Sequence, residues 1–368
     1  MLACAGMKVI HVETGRHLYG GAQQVLYLCE GLEKRGIDCL LVCPPDSAVN
    51  EAARERDIRV WNVPCRGELD FLFAWRLKRL FKRAEADLVH VHSRRGADVW
   101  GGSAAASAKT PVILSRRVDH VEPPAAAAWL YRPYDKIIAI SQNVRGSLVE
   151  SGVDDSRIEV IMSSVDIDRQ RQLVDRERWL GEFGLPEDAV VIAMVAQFIE
   201  RKGHRFLIEI LPRLVARNPK VKVVFFGKGP LEEAARSHVT ELGMLDSVRF
   251  AGFRHDVDSF LGHADLLVHP ATGEGLGVTM LKAAAAGLPV VAFDVAGAQE
   301  AVLNGETGVL VHPGVAEDLL QAINELVENP DRRRQMGSAG HQRMQTLFSV
   351  DTMVNRHVDL YRLIVDGS

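Results

Sequence analysis

The feature that most limits how this chain can fold is a rhythm. Along all 368 residues, apolar runs of strand length alternate with longer amphipathic stretches, a pattern that calls for βαβ units and parallel sheets. Met7–Glu13 reads as the first strand and Gln23–Arg35 as the helix after it. Ile37–Cys43, Arg59–Val63, Asp87–Val91 and Val112–Ser115 read as further strands, and Lys136–Ile140 as the one that closes a first sheet. A second series follows Leu185: Ala189–Ala196, Val221–Phe226, Ser247–Ala251, Ala264–His269, Pro289–Phe293 and Gly308–Val311. Strands that are apolar almost throughout need helices on both faces of the sheet. The chain is too long for one comfortable core and suits two domains. The expected fold is α/β, two Rossmann-like doubly wound domains facing across a cleft. Residues 1–165 form the first and 185–350 the second, with a polar linker at 166–184 and a last helix at 351–366 returning to the first domain. In open α/β sheets, ligands bind beyond the carboxyl ends of the strands.

Bulk properties exclude several classes. Hydrophobic residues make up 47% and charged residues 25%, as in soluble globular proteins. No stretch nears the ~18 apolar residues that span a bilayer. A net charge of −4 gives no reason to expect nucleic acid as a partner. The start of the chain lacks a basic n-region followed by a long apolar stretch. Met7 reads as the natural start of the first strand, with the residues before it as a dispensable extension. All five cysteines (Cys4, Cys29, Cys39, Cys43 and Cys65) lie near the beginning. Their odd number and irregular spacing make a poor disulfide framework, so a reducing, cytoplasmic compartment is expected.

Three segments combine residues suited to a phosphorylated ligand. His269-Pro-Ala-Thr-Gly-Glu-Gly-Leu-Gly ends a strand, carries one carboxylate (Glu274) in a glycine-rich loop, and opens a helix near Gly277. A helix N-terminus offers unpaired N–H groups and a positive dipole end, and glycines let a ligand approach the backbone. In Val195-Ala-Gln-Phe-Ile-Glu-Arg-Lys-Gly-His, Arg201 and Lys202 precede a helix, a placement able to clamp a diphosphate. Tyr19-Gly-Gly-Ala-Gln forms a third glycine-rich turn into a helix, and Gly227-Lys-Gly-Pro a weaker one.

In this order, these segments resemble the retaining glycosyltransferases of family 4, which share the glycosyltransferase B fold. The resemblance covers nearly the whole chain. It runs through Gly20-Gly21-Ala22, Val89-His-Val-His-Ser, Ile140-Ser141, Val165-Asp166, Arg201-Lys202-Gly203, Gly227-Lys-Gly-Pro, Phe250-Ala-Gly-Phe, Pro270…Glu274-Gly and Ala286-Gly-Leu-Pro-Val. It implies that Glu274 sits by the donor sugar and that the amides of Gly275, Leu276 and Gly277 approach sugar and phosphates. Arg201 and Lys202 would hold the diphosphate, with Gln197 and Gly229 beside it. Gly20 and Gly21 would close over the phosphates, and Arg254 would lie near the base. The implied reaction moves a sugar from a nucleotide-diphosphate sugar, a UDP-sugar favoured, to a hydroxyl of a glycan or glycolipid, without a cofactor or metal. Leu267-Val-His-Pro-Ala and Glu-Arg-Lys-Gly look most like bacterial lipopolysaccharide-core sugar transferases. A nucleotide-sugar-binding protein without turnover and a sugar-nucleotide epimerase of the same fold are the rival readings.

Three departures from the family pattern stand out. Where the family has a second glutamate, eight residues after the first, this chain has Lys282, which has donors but no acceptor. Where Gly-Arg is usual it has Ala196-Gln197, one phosphate cation fewer. Lys282 and Arg201 are expected to restore the charge lost at Gln197. In place of a sugar-contacting histidine, Leu114-Ser-Arg-Arg-Val-Asp-His offers Arg117 or His120.

Other patterns read as less specific. Asp166-Ile-Asp168 and Asp256-Val-Asp258 are expected to be solvated helix caps rather than metal ligands. His90 and His92 share a strand face without a third ligand nearby in sequence and read as core or cleft histidines, with His92 a candidate substrate contact. Glu13 and Thr14, at the end of the first strand, are a similar candidate. Leu69–Arg83 interleaves Phe71, Leu72, Phe73, Trp75, Leu77, Leu80 and Phe81 with Arg76, Lys78, Arg79, Lys82 and Arg83. One face must bury against the sheet. The surplus of aromatics and cations on the other fits contact with an anionic membrane.

Overall fold

A computed structural model describes residues 6–67, 69–92, 96–170 and 173–367. The short extension before Met7, apart from Gly6, lies outside the described residues, as do Cys4 and Ser93. The chain forms two compact units, Met1–Ser164 with Val350–Ser368, and Val165–Ser349.

The first unit is built on a seven-stranded parallel sheet. Its strands are β1 (Lys8–Val12), β2 (Asp38–Cys43), β3 (Val60–Asn62), β4 (Leu88–Val91), β5 (Val112–Arg116), β6 (Lys136–Ala139) and β7 (Ile158–Val160), in the order β3-β2-β1-β4-β5-β6-β7. The order reverses beside β1, which makes the carboxyl ends of β1 and β4 the natural place for a ligand. Lys136–Ile140 does not close the sheet as expected: β7 pairs outside β6, Ile137 opposite Ile158. Three residues are too few to show a strand pattern, and the pairing comes from the neighbouring strand's open edge. The last helix, Val350–Asp366, packs on Gly20–Glu33 in the same unit. A Cβ at Gly31 would stand 2.4 Å from a Val354 methyl, so the two helices meet through a residue without a side chain.

The second unit carries six parallel strands, β8 (Val190–Val195), β9 (Val221–Phe226), β10 (Val248–Gly252), β11 (Leu266–His269), β12 (Val290–Phe293) and β13 (Gly308–Val311), in the order β10-β9-β8-β11-β12-β13. Apart from the extra β7, this repeats the first order. Helices cover both faces, and β11 and β12 are buried along their whole length. The segment 166–184, expected as a linker, is folded into this unit. Its helix Arg176–Phe183 puts Trp179 and Phe183, one turn apart, into a ring cluster with Phe226 and Phe260. Two aromatics at i and i+4 among charged residues are an apolar stripe; the polar average of the segment hides it.

Candidate functional site

In the second unit, β11 stops at His269 and the chain turns through 270–277 before the helix Val278–Ala285. No side chain caps that helix; its N-cap is Gly277, with φ +70°. A Cβ there would lie 2.1 Å from the movable terminal methyl of Met280, so it is the left-handed conformation more than space that calls for glycine.

Glu274 points back beneath this turn and is 8% exposed. Its Oε1 accepts from His269 Nε2 at 2.7 Å and from Lys202 Nζ. Burial alone would push this carboxyl up. The hydrogen bond from His269 and the pull of His269 and Lys202 outweigh it and hold the group at about 2. Lys202 arrives on the short turn Glu200–Lys202, which is laced to the loop: Arg201 Nη1 donates to the Gly273 carbonyl at 3.1 Å, and Thr272 N–H to the Arg201 carbonyl at 2.9 Å. The two segments meet because Gly203, at φ +73°, has no Cβ; one would lie 1.9 Å from the Pro270 carbonyl oxygen. On the other side, Gly297 presses its backbone to the Glu274 carbonyl, 2.2 Å from where its Cβ would be. Gly203→Ala is therefore expected to lower unfolding stability by about 2–4 kcal/mol in urea titration, through strain at positive φ and a backbone clash.

The other residues expected at the donor site are arranged less uniformly. Gln197 is exposed, and Gly229 lies against the Phe198 backbone, 2.5 Å from that carbonyl oxygen to its would-be Cβ. Arg254 is engaged on three sides: its guanidinium pairs with Asp256 and Glu182 and lies 4.2 Å over the Phe260 ring. Hydrogen bonding to Asp256, then to Glu182, raises its already high pKa further despite partial burial. Lys282 donates to both oxygens of Asp258, at 2.9 and 3.1 Å. Lys282 is thereby engaged within the unit by a single carboxylate, its side chain 26% exposed. Asp258 is no solvated cap: it is 4% exposed and also faces Arg169 Nε at 3.4 Å. Asp166 does act as a cap, accepting from Arg169 N–H.

In the first unit, Glu13, His92 and Arg117 stand at the carboxyl ends of β1, β4 and β5. Glu13 Oε1 accepts from Gly15 N–H at 2.7 Å. Arg117 reaches the start of the helix Gly20–Glu33, its Cδ 3.2 Å from where Gly21 would carry a Cβ. Burial draws its guanidinium down to about 10, with the Glu13 charge opposing. His120, the alternative to Arg117, is exposed. Beneath this group lies a polar cluster that the sequence only half disclosed. Register pairs His11 of β1 with His90 of β4. His11 Nδ1 and His92 Nε2 are 2.9 Å apart, and His90 bonds Tyr361 Oη at 2.6 Å and Ser115 Oγ at 2.8 Å. A third histidine, remote in sequence, therefore stands by His90 and His92, and nitrogens of the three lie within 4.8 Å. Hydrogen bonds engage both nitrogens of His11 and of His90, and the Arg117 charge opposes the charging of His90 and His92, so the cluster suits a hydrogen-bonded core better than a second cation.

Two parallel sheets with this shared strand order are the glycosyltransferase B fold, and two family matches place the chain among its glycosyltransferases. Residues 19–169 match the family Glycosyltransferase Family 4, and residues 175–343 match Glycosyl transferases group 1. Among its relatives is the lipopolysaccharide core biosynthesis glycosyltransferase LpsE of Rhizobium meliloti, 28% identical over 96% of this chain and 98% of the relative. LpsD of the same organism is 26% identical over the same shares. Among solved structures, a glycosyltransferase from Rickettsia africae superimposes with a TM-score of 0.87 at 20% identity, over 98% of this chain and 99% of that one. Anabaena HepE, solved in complex with UDP and glucose, gives 0.84 at 21% identity, over 96% and 99%.

Sequence reasoning located Glu274 and Lys202 but missed His269 as their partner and Asp258 as the partner of Lys282. A histidine closing a buried strand five residues before a loop carboxylate was a readable signal for the first. Nothing in the sequence signals the second, because Asp258 and Lys282 lie on different helices.

Proposed function

We propose that this chain transfers a sugar from a nucleotide-diphosphate sugar, a UDP-sugar by preference, to a hydroxyl of a glycan or glycolipid acceptor, with retention at the anomeric carbon and without a metal. The observation that carries the reading is the buried Lys202–Glu274–His269 group beneath an uncapped helix start. In the proposed reaction the bond from anomeric carbon to diphosphate breaks as the acceptor oxygen bonds to that carbon on the same face. The acceptor proton passes to the departing phosphate oxygen. Lys202, Arg201 and the helix start offset the developing phosphate charge, Glu274 orients the sugar through its hydroxyls, and the first unit binds the acceptor. The names of LpsE and LpsD favour a lipopolysaccharide-core acceptor, which implies work at the cytoplasmic face of a membrane.

One test is a thermal-shift panel of UDP, GDP, ADP and CMP with their common sugars, followed by anomeric analysis of the product by NMR. A ligand at about a hundred times its Kd adds roughly 2.7 kcal/mol, and a UDP-sugar is expected to give the largest shift. If no nucleotide gives a shift, a non-catalytic relative is favoured, a reading that exposed Gln197 and the engagement of Lys282 by Asp258 support. An inverted product would overturn retention.

A membrane partner is proposed from the helix Phe71–Ala84. Phe73, Leu77, Leu80 and Phe81 are buried, whereas Leu69, Phe71, Leu72 and Trp75 are exposed. Arg79 lies 4.7 Å over Trp75, and Arg83 5.6 Å over Trp61. Apolar side chains set among cations fit an anionic lipid surface. No helix among the described residues is long and apolar enough to cross a membrane. Replacing Phe71, Leu72 and Trp75 with serine is expected to weaken pelleting with anionic vesicles at least tenfold, at roughly 1.5–3 kcal/mol per large side chain. Equal pelleting would remove the proposal.

A further inference from the structure

Two neutral imidazoles of the first unit, His357 and His92, each have one unanswered atom, and His92 is the one at the carboxyl end of a strand, where ligands bind. Its Nε2 faces His11 Nδ1 at 2.9 Å, but its Nδ1 is buried and takes no partner among the described residues. Such an atom stands out, because buried polar groups are nearly always satisfied. The ring as a whole is 2% exposed, at the end of β4, beside the strand ends that carry Glu13 and Arg117.

Which form His92 takes depends on its neighbours. His11 Nε2 lies 3.8 Å from Cys39 Sγ, so Cys39, His11 and His92 form a row of two hydrogen bonds. Protons can be placed along this row in two ways only. In one, the Cys39 thiol donates to His11, His11 Nδ1–H donates to His92, and His92 is left with a buried N–H lacking an acceptor. In the other, His11 Nε2–H donates to the Cys39 sulfur, His92 Nε2–H donates to His11 Nδ1, and His92 Nδ1 is a bare lone pair. Cys39 also hydrogen-bonds Cys29, which raises its thiol pKa; a thiol proton given to Cys29 leaves the Cys39 sulfur to accept from His11, which favours the second. The form of one ring dictates that of the next, as in metal sites, where the partner of one imidazole nitrogen sets the other.

We propose that Cys39 and His11 hold His92 in the form with Nδ1 unprotonated, and that this nitrogen accepts a hydrogen bond from a sugar hydroxyl of the acceptor. His11 and Cys39 are then positioning residues, and His92 the one that touches substrate. The proposal rests on the glycosyl-transfer reading and adds the group in the first unit that reads a hydroxyl. On both rings the neutral form is secured by burial (first of all), with neighbouring histidines adding to it.

The test is long-range proton–nitrogen NMR on the full chain labelled with ¹⁵N-histidine, at pH 7.5, with His92 assigned from His92→Leu. Expected is a single neutral form protonated at Nε2. In His11→Phe the preference is expected to vanish, giving a mixture. Cys39→Ala, a smaller change, should shift the mixture in the same direction if His11→Phe fails to fold. His92→Leu is expected to lower kcat/KM for the acceptor about tenfold, the size of one neutral hydrogen bond, with donor KM unchanged. His92→Asn, which keeps an acceptor near the Nδ1 position, should recover part of that loss. Protonation at Nδ1 in the unaltered chain, an unmoved form in both His11→Phe and Cys39→Ala, or full acceptor turnover in His92→Leu would overturn the proposal. The NMR reading does not depend on turnover. A chain that binds no nucleotide but shows the expected form would count against glycosyl transfer and leave the proton arrangement standing.

Discussion

Lys202→Met is expected to lower kcat/KM at least a hundredfold while leaving a folded protein. Two effects combine. The ammonium is proposed to face the leaving diphosphate, and removing one such charge from a preorganised site costs about 10²–10³ in rate. It also leaves Glu274 as a buried carboxylate that has lost its cation, with His269 still bonded to it. Breaking one side of a buried pair costs about 3–5 kcal/mol, and here roughly 3 kcal/mol is expected, because His269 still donates at 2.7 Å. The carboxyl of Glu274, held at about 2 in the native chain by His269 and Lys202 against burial, should rise. The measurements are steady-state kinetics with the donor varied and urea unfolding with both chains. Lys202→Arg separates the effects: it keeps the charge but not the compact ammonium that reaches Glu274, so stability should recover more than rate. Unchanged turnover in Lys202→Met would show that this cation does not act on the leaving group.

The second large effect is with acid. His11, His90, His92 and His357 are buried, and burial draws all four below their ordinary value, His11 to about 3 and His357 to about 4. They also oppose one another's charging, and Arg117 opposes that of His90, His92 and His357. Unfolded, each takes up a proton near pH 6.5; folded, none does until much lower pH. Between these values the unfolded chain holds more protons, so stability rises with pH there and falls as pH drops below about 6.5. Each group contributes about 1.4 kcal/mol per pH unit inside the window. Going from pH 7.5 to 5.5 should remove roughly 5 kcal/mol from the first unit, comparable to the whole stability of an ordinary domain. His204 adds a smaller loss to the second unit, where burial and then the charges of His269 and Lys202 draw it to about 4. Thermal unfolding at half-unit pH steps would show this as the first unit melting ahead of the second in acid. A flat profile between pH 7 and 5.5 would mean that the cluster is hydrated or already charged.

The same cluster shows where sequence reading stops. His90 and His92 are two residues apart on a strand, so that they share a face was legible from periodicity alone. That His11 joins them depends on β1 pairing with β4 in one register, His11 opposite His90. Tyr361 reaches His90 only because the last helix returns to the first unit.

What the sequence determined by itself is what short-range chemistry dictates. The alternation of apolar runs settled the parallel α/β class. The glycine-rich turns after β1 and β11 marked helix starts suited to anions; Glu274 stood out within the second of them, and Arg201 and Lys202 in the turn after β8. These are properties of neighbours in the chain, where spacing and residue type carry the information. The tertiary structure decided the partners. It set Lys202 against Glu274 across 72 residues, tied Lys282 to Asp258, locked Arg254 between Asp256 and Glu182, drew 166–184 into the second core and added β7 to the first sheet. Charge balance and burial are sums over groups brought together from distant places in the chain. Only the packed structure says which of those groups arrive.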